Sequence, residues 1–506
     1  AGNVDAVTQN VVVDRDAGIL TISDTPVEGD DVVNFAEASD GVVLNGTSNP
    51  NAVVTVTMGG VSHTVTANGA GNWTTTYANS EITPGEYTAN ITATTTDSAG
   101  NTLNATDSVQ VDTRVNNLSI RGDIVEGDGI INAAERLEGG GVQVTGTTEV
   151  GSTSVVVTLN GVAVNAVVQA NGSWTATYAS SQVTEGTYDA AVSAKATDAA
   201  GNVRTVTDSI RVDTEVVPLT MTNGGGGTDG IANFAEAAIG IDLGGQVEAG
   251  STLVVNFDGT NYNANVDAAG NWSLTIPPSG IRAGTYDAAI KITATDAVGN
   301  VDTVSDVLPI DTEAPEGPVI ASYTRDAGGI RGISTELNVD DLAVHQVGPN
   351  GVVVTEVEAS QTDVAEPINE TFFSFNEHVP DGSHLVITST DGAGNIAGTY
   401  VPLDDEVAGA ETISLNSDAL SPFNIQTVDL KFVEDGQLTI DETLLLALSE
   451  NSNSLQINGG ADDNVTINGA NLTGSTVRDG QAFNIYTLGS EGTLYIDADI
   501  GVNGVI

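Results

Sequence analysis

The sequence predicts an all-β chain of tandem two-sheet sandwiches in an extended rod, ending in a distinct C-terminal β-rich domain. Three observations carry this prediction. First, Val, Thr, Ala and Gly dominate the 506 residues, with 58 Gly and only 4% aromatics, a composition that favours strands and tight turns. Second, the chain repeats itself about every hundred residues. Third, each repeat divides into seven short segments that alternate apolar with polar residues.

The repeat is read from fixed markers. NWTTTY, SWTATY and NWSLTI place tryptophans at Trp73, Trp174 and Trp272, 101 and 98 residues apart. TDSAGN at 96–101 returns as TDAAGN at 197–202, TDAVGN at 295–300 and TDGAGN at 390–395. Eleven residues after each of Asn3, Asn101, Asn202 and Asn300 stands an aspartate: Asp14, Asp112, Asp213 and Asp311. The boundaries that follow are 1–14 (final strand of a preceding repeat), 15–112, 113–213 and 214–311 (full repeats), 312–404 (a divergent repeat without the tryptophan) and 405–506 (the C-terminal module).

In the first full repeat the segments are GILTIS, VVLNGT, AVVTVTM, VSHTVTA, NWTTTY, GEYTANITATTT and TLNATDSVQV. Met58-Gly59-Gly60-Val61 marks a hairpin. Seven strands in about 100 residues, with no sustained helical period, indicate an antiparallel sandwich of immunoglobulin-like type. The three tryptophans are expected to plug the cores. Tyr87, Tyr188 and Tyr286, each in a G-x-Y step, are expected to form the tyrosine corners of such sandwiches. In the C-terminal module, strand-like FVEDGQLTI and SLQING flank DETLLLALS, an apolar run suited to one or two helical turns.

The charge narrows the function classes. Thirteen Lys plus Arg face 68 Asp plus Glu, a formal charge of −55. Phosphate binding needs a basic patch, so nucleic acid is excluded as a partner. No apolar run is long enough for a membrane-spanning helix, and no membrane insertion is expected. The absence of cysteine removes disulfides, thiolate metal sites and cysteine nucleophiles. His63, His345, His378 and His384 lack zinc-motif spacing, and no nucleophile elbow or phosphate loop appears. An enzyme is therefore not expected, although paired carboxylates among so many acids leave glycoside hydrolysis open on residue type alone. AGNVDAVTQN lacks the regions of a signal peptide, which implies either a removed signal or an internal fragment of a longer chain.

The acidic residues recur by position. A loop with the pattern D-x-x-x-N-x-x-E gives Asp30, Asn34 and Glu37; Asp128, Asn132 and Glu135; and Asp229, Asn233 and Glu236. Calcium takes six to eight hard oxygens, which closely spaced Asp, Asn and Glu supply; solvated turn caps are the plainer alternative. In a sandwich of this type, this loop lies at the C-terminal end of its own repeat, and the last hairpin at the N-terminal end. The loop should therefore meet the aspartate that closes its own repeat and the next repeat's TDxAGN hairpin. Asp30, Asn34 and Glu37 group with Asp112, Asp198 and Asn202; Asp128 and Glu135 with Asp213 and Asp296; Asp229 and Glu236 with Asp311 and Asp391. Uncompensated, such clustering costs about 1 kcal/mol per pair at 4 Å even in water, so Ca²⁺ at the junctions is the preferred reading. Even about 16 charges neutralised by calcium would leave most of the acidity as solvated surface. GGGGTDGIA at 224–232 and GGADDNVTI at 459–467 approximate a calcium-binding nonapeptide, but the first belongs to the repeated loop and neither is read as a β-roll.

T-D-x-A-G-N, the 11-residue step to V-D-T, the strand tryptophan and G-T-Y together resemble the bacterial Ig-like repeats of large adhesins. These are the Bap-type biofilm-associated proteins and the giant adhesins exported by type I secretion. The resemblance covers residues 1–311 strongly, 312–404 loosely, and extends to the C-terminal module. It implies an extracellular, cell-surface stalk whose junctions calcium stiffens, with an uncleaved C-terminal export signal, acting in attachment and biofilm formation. The family aspartates match at Asp97, Asp112, Asp198, Asp213, Asp296, Asp311 and Asp391, and Asp14, at the same 11-residue step from Asn3, is counted with them as a candidate calcium ligand. The fourth repeat departs: Pro402-Leu403-Asp404 places its aspartate two residues early, and no calcium site is assigned there. Expected partners are calcium and a host or abiotic surface, a matrix polysaccharide, or copies of the same chain. The alternative function is a self-assembling filament or surface-layer subunit joined by strand exchange.

Overall fold

The computed structural model describes residues 2, 4–337, 340–348, 351–352, 354–404 and 409–505. Ala1 and Asn3 of the opening marker lie outside the described residues. The chain divides into two compact units, residues 1–217 with 295–301 and residues 218–294 with 302–506.

The first unit contains two sandwiches of one topology. In the first, Leu20–Ile22, Val42–Ser48 and Asn72–Tyr77 form one sheet. The other runs Val32–Val33, Thr102–Asp112, Glu86–Thr96, Val53–Met58, Val61–Thr66. All seven expected segments are strands. Positive φ at Gly59 and Gly60 makes the tight turn between Val53–Met58 and Val61–Thr66. The alternation works as a two-face pattern: Val54, Val56, Ile91, Ala93, Val109 and Val111 point into one core, while the threonines between them face water.

The tryptophans sit where the repeat places them. Trp73 and Trp174 are buried, and each indole N–H donates to a carbonyl, of Thr47 at 3.3 Å and of Thr147 at 3.0 Å. Each lies opposite a glycine on the neighbouring strand, Gly46 or Gly146. A Cβ on Gly146 would stand 2.2 Å from the ring and 2.1 Å from the Ser119 carbonyl, so the tryptophan fits only against glycine. The hydroxyl of Tyr188 donates to the Thr184 carbonyl four residues upstream, a tyrosine corner.

A two-residue strand and a short helix interrupt the D-x-x-x-N-x-x-E loop. Val32–Val33 pairs in parallel with the last strand of its own sandwich, and Phe35–Asp40 then forms one helical turn and a half. The second sandwich repeats this with Ile130–Ile131 and Ala133–Arg136. Residues 4–19, expected to hold a strand as far as residue 14, carry no helix or strand; a strand exists by its ladder, and no partner strand is present among the described residues.

In the second unit, the third sandwich has the same two sheets, with Trp272 buried and its N–H 2.9 Å from the Thr220 carbonyl. The fourth pairs Ile320–Asp326, Gly329–Glu336, Glu370–Val379 and Ala359–Val364 in one sheet. Its other sheet does not stop at residue 404. Ile396–Pro402 pairs in parallel with Ile425–Asp429, and the sheet continues through the whole C-terminal module. From there, successive strands alternate between two stacks. Ile425–Asp429, Ser454–Asn458 and Gly492–Asp497 stack in parallel in one; Glu411–Ile413, Gly436–Ile440, Asn464–Arg478 and Gly501–Val505 stack in the other. Antiparallel pairing through Gln481–Leu488 joins them.

The C-terminal module therefore shares a sheet and a core with the fourth sandwich. Val347, Val386 and Tyr400 of the fourth sandwich share one core with Leu438, Leu455, Ile457, Ile496 and others beyond 404. DETLLLALS forms the expected helix, Glu442–Leu448, with Asp441 as N-cap and Leu445 and Leu448 in that core. Within GGADDNVTI, residues 459–463 turn between the two stacks and Asn464 starts the next strand; at the turn the Asp463 carboxylate accepts N–H bonds from Gly436 and Gly460.

Replacing Trp174 by Ala should destabilise the second sandwich by about 3–5 kcal/mol. Hydrogen exchange at the amides of Ser173–Tyr178 reads this directly; unchanged protection would contradict the assigned core.

Candidate metal centres at the sandwich junctions

The last hairpin of each sandwich carries an aspartate and an asparagine four residues apart, and the pair is built identically each time. In the second sandwich, Asp198 Oδ1 accepts the Asn202 backbone N–H at 2.8 Å, and Oδ2 accepts the Asn202 side-chain N–H at 2.8 Å. Asp97 with Asn101, Asp296 with Asn300 and Asp391 with Asn395 do the same. At Asp97 these hydrogen bonds, led by the Asn101 side chain, hold the carboxyl below its usual range.

The braced asparagine then reaches the preceding segment. Asn202 Nδ2 donates to the Asp112 carbonyl at 2.9 Å, while its Oδ1 accepts the Phe35 N–H at 2.8 Å. One side chain thus ties the second sandwich to both the last strand and the helix start of the first. Asn300 repeats both contacts with Asp213 and Ala133, within the first unit. Asn395 repeats them with Asp311 and Phe234, within the second. Asn101 makes the carbonyl contact alone, to Asp14 at 3.3 Å.

The helix start is itself capped. Asn34, Asn132 and Asn233 are N-caps, each in a capping box with Glu37, Glu135 or Glu236. One oxygen of each glutamate accepts the N-cap residue's own N–H. Asp30, Asp128 and Asp229 each accept the N–H two residues on. The loop acids are thus engaged with their own backbone, and the asparagine amides of the second and third copies also donate to the hairpins, at Val298 and Ala393.

The carboxylates that converge come from elsewhere. Oxygens of Asp112, Glu149 and Asp198 lie within 4.8 Å of one another at the junction of the first two sandwiches. Asp198 is buried, and Asp112 and Glu149 are half-buried. Burial first, and then the Asp198 charge, pushes the Asp112 carboxyl up. Burial, then Asp112, Glu86 and Asp198, does the same to Glu149 against the lowering bond from the Asn116 N–H. Asp213 and Asp296 also approach within 4.8 Å. Among the described residues no such triad surrounds Asp311 and Asp391, where the Asn451 amide instead donates to the Thr312 carbonyl.

Glu149 was not foreseen. It stands in a Glu-x-Gly-Ser step between the second and third segments of its repeat, away from the conspicuous markers. The same step recurs in the sequence at Glu248, but the first repeat has Asn49-Pro50-Asn51 there. That recurrence in two of three copies was the available signal.

The donor set fits a hard cation. It offers carboxylate oxygens only, from three separate segments, with raised proton affinity in two of them. Asp112, Glu149 and Asp198 would hold the ion. The histidines offer no comparable site among the described residues; burial pushes His384 down to about 4, which keeps it neutral in the core.

A family model described as a bacterial Ig-like domain matches residues 17–113, 142–214 and 223–312. No curated protein matches the chain. Among solved structures, a Ca²⁺-stabilized adhesin with which an Antarctic bacterium reaches out and binds ice is 26% identical. The match covers 76% of this chain and 98% of that one, with a TM-score of 0.30. A structure from a 1.5-MDa bacterial ice-binding adhesin is 27% identical over 59% of this chain and 100% of that one, with a TM-score of 0.33. A bacterial immunoglobulin-like domain of the M. primoryensis ice-binding adhesin is 28% identical over 19% and 97%, with a TM-score of 0.16.

Two outcomes are expected. Asn202→Ala should speed exchange of the Phe35 amide by roughly fivefold or more, the worth of about 1 kcal/mol, even with calcium present; unchanged exchange would remove the clamp. The second concerns pH. With chelator present, Asp112 and Glu149 bind protons more tightly in the folded junction than in the unfolded chain. Stability should therefore fall as pH rises through their raised pKa values. With calcium, protons compete for the same oxygens, so affinity should fall as pH falls through that window. Calcium affinity independent of pH there would contradict the ligand set.

Proposed function

Because the chain belongs to the bacterial Ig-like domain family, we propose that it is a calcium-stiffened stalk segment of an extracellular, cell-surface adhesin that serves attachment and biofilm formation. The single observation that carries the proposal is the convergence of Asp112, Glu149 and Asp198 on a junction already clamped by Asn202. The three carboxylates come from the end of one sandwich and from two loops of the next. A bound Ca²⁺ would supply the positive charge that lets them stay together.

The chain's own residues divide the work. Asn202 fixes which carbonyl and which N–H face each other across the junction. The capping box of Asn34 and Glu37 holds the helix start in place to receive it. Asp198, braced by Asn202, presents a preorganised oxygen beside Asp112. Removing the cation leaves like charges adjacent, so each sandwich should stay folded while the junction loosens. Export through a C-terminal signal and the absence of catalysis belong to the same reading.

The alternative, a filament joined by strand exchange, would use the exposed valines at 4, 7, 11, 12 and 13, which lie in a segment without regular structure.

Calcium titrated calorimetrically into the full chain should bind, and Glu149→Gln with Asp198→Asn should remove one site from the stoichiometry. A chain whose melting and calcium uptake are unaltered by those substitutions would overturn the assignment. Sedimentation showing oligomers that vanish when residues 4–13 are deleted would favour the filament.

A further inference from the structure

We infer that the C-terminal part of the chain carries a binding groove for a neutral, hydroxyl-rich ligand, a short stretch of uncharged polysaccharide. The inference rests on a different region from the junction carboxylates and does not depend on calcium.

The floor of the groove is one row of side chains across four strands. Thr399 pairs with Thr427, Thr427 with Gln456, and Gln456 with Tyr495. At the usual strand spacing such a row is about 14 Å long. One wall is the segment 316–320, fixed where the Thr399 hydroxyl donates to the Pro318 carbonyl at 2.7 Å. The other is the hairpin tip at Arg478 and Asp479. The space between them is about 550 Å³, within the range of small-ligand sites. Those sites are mostly apolar, whereas this lining, apart from Pro318, Val319 and Ile320 in one wall, is mainly hydroxyls, amides and charged groups.

The chemistry of the lining selects the ligand. Asp429 borders the groove, is 2% exposed, and among the described residues has one hydrogen bond, a long one of 3.3 Å from the Lys431 N–H. A buried carboxylate so poorly supplied wants donors. Arg478 is held with its guanidinium 3.5 Å from the Tyr495 ring centroid and bonded to Gln456 Oε1 at 3.1 Å. Gln456 Nε2 in turn donates to Asn458 Oδ1 at 2.9 Å, which orients the Asn458 amide nitrogen as a donor. A preorganised row of donors thus stands beside an acceptor in need of donors. A hydroxyl both donates and accepts, and vicinal hydroxyls do so at close spacing, which matches this alternation. Asp429, Asp479 and Glu316 at the groove, on a chain of charge −55, repel an acidic ligand. An extended peptide would seek an open strand edge, and this row lies on the face of paired strands.

The experiment is calorimetric titration of the full chain with maltohexaose, cellohexaose and laminarihexaose, and with hexagalacturonate as the acidic counterpart, in calcium and in chelator. At least one neutral hexaose should bind with a Kd of about 1 mM or tighter. Gln456→Ala and Arg478→Ala should each weaken it about tenfold or more with melting unchanged, and Asp429→Asn should do the same if it folds. Binding should persist in chelator, so this outcome stands or falls separately from the calcium sites. No binding of any neutral hexaose, undiminished binding by Gln456→Ala and Arg478→Ala, or preference for hexagalacturonate would each overturn the proposal.

Discussion

The asparagine of the last hairpin is the interaction on which the repeated junctions depend. A helix start leaves N–H groups without intrahelical partners, and a strand that ends a sheet leaves a carbonyl without one. Asn202 satisfies one of each, because an amide side chain offers a donor and an acceptor at a short, fixed separation. Its rotamer is set by Asp198, which binds both its backbone and its side chain. An aspartate in place of Asn202 could not donate to the Asp112 carbonyl, and a lysine could not accept from Phe35. The identity of the residue follows from the two groups it must serve, and Asn300 and Asn395 serve the same two.

Electrostatics then follow from the clamp. Drawing the Asp112 carbonyl toward Asn202 brings the Asp112 carboxylate beside Asp198, and the Glu149 turn completes the set. Each hydrogen bond in the clamp is worth about 1 kcal/mol net, comparable to the repulsion of one like-charged pair in water. Neither contribution dominates, so hydrogen-bond geometry holds the junction, and under the proposed reading a bound cation would offset the repulsion. At Asp311 the amide of Asn451 stands near the strand end instead, and a segment of the C-terminal stacks braces that position without another carboxylate.

Much of this was legible in the sequence. The TDxAGN step located every clamp, the tryptophans located the cores of the three full repeats, and the grouping of loop, last strand and next hairpin followed from sandwich topology alone. What was missed has physical causes. N-x-x-E reads equally as calcium ligands and as a capping box, and only the helical turn it caps, Phe35–Asp40, reveals the capping role. Glu149 lies off the repeat markers and is replaced in the first copy, so periodicity did not raise it. The sheet's continuity across 404 was not legible because parallel stacking is non-local: FVEDGQLTI and SLQING look like any short strands, and nothing in them says that each pairs with a segment some 25–40 residues away in the same direction.

The central claim is that the clamped carboxylates form a calcium site. Anomalous diffraction from crystals of the full chain grown in calcium tests it most directly. The account predicts a peak within about 2.3–2.6 Å of oxygens from Asp112, Glu149 and Asp198, with Asn202 still bonded to Asp112 and Phe35. Carboxylates found in that arrangement with no peak between them, or a calcium bound by Asp30 and Glu37 with the capping box broken, would contradict it.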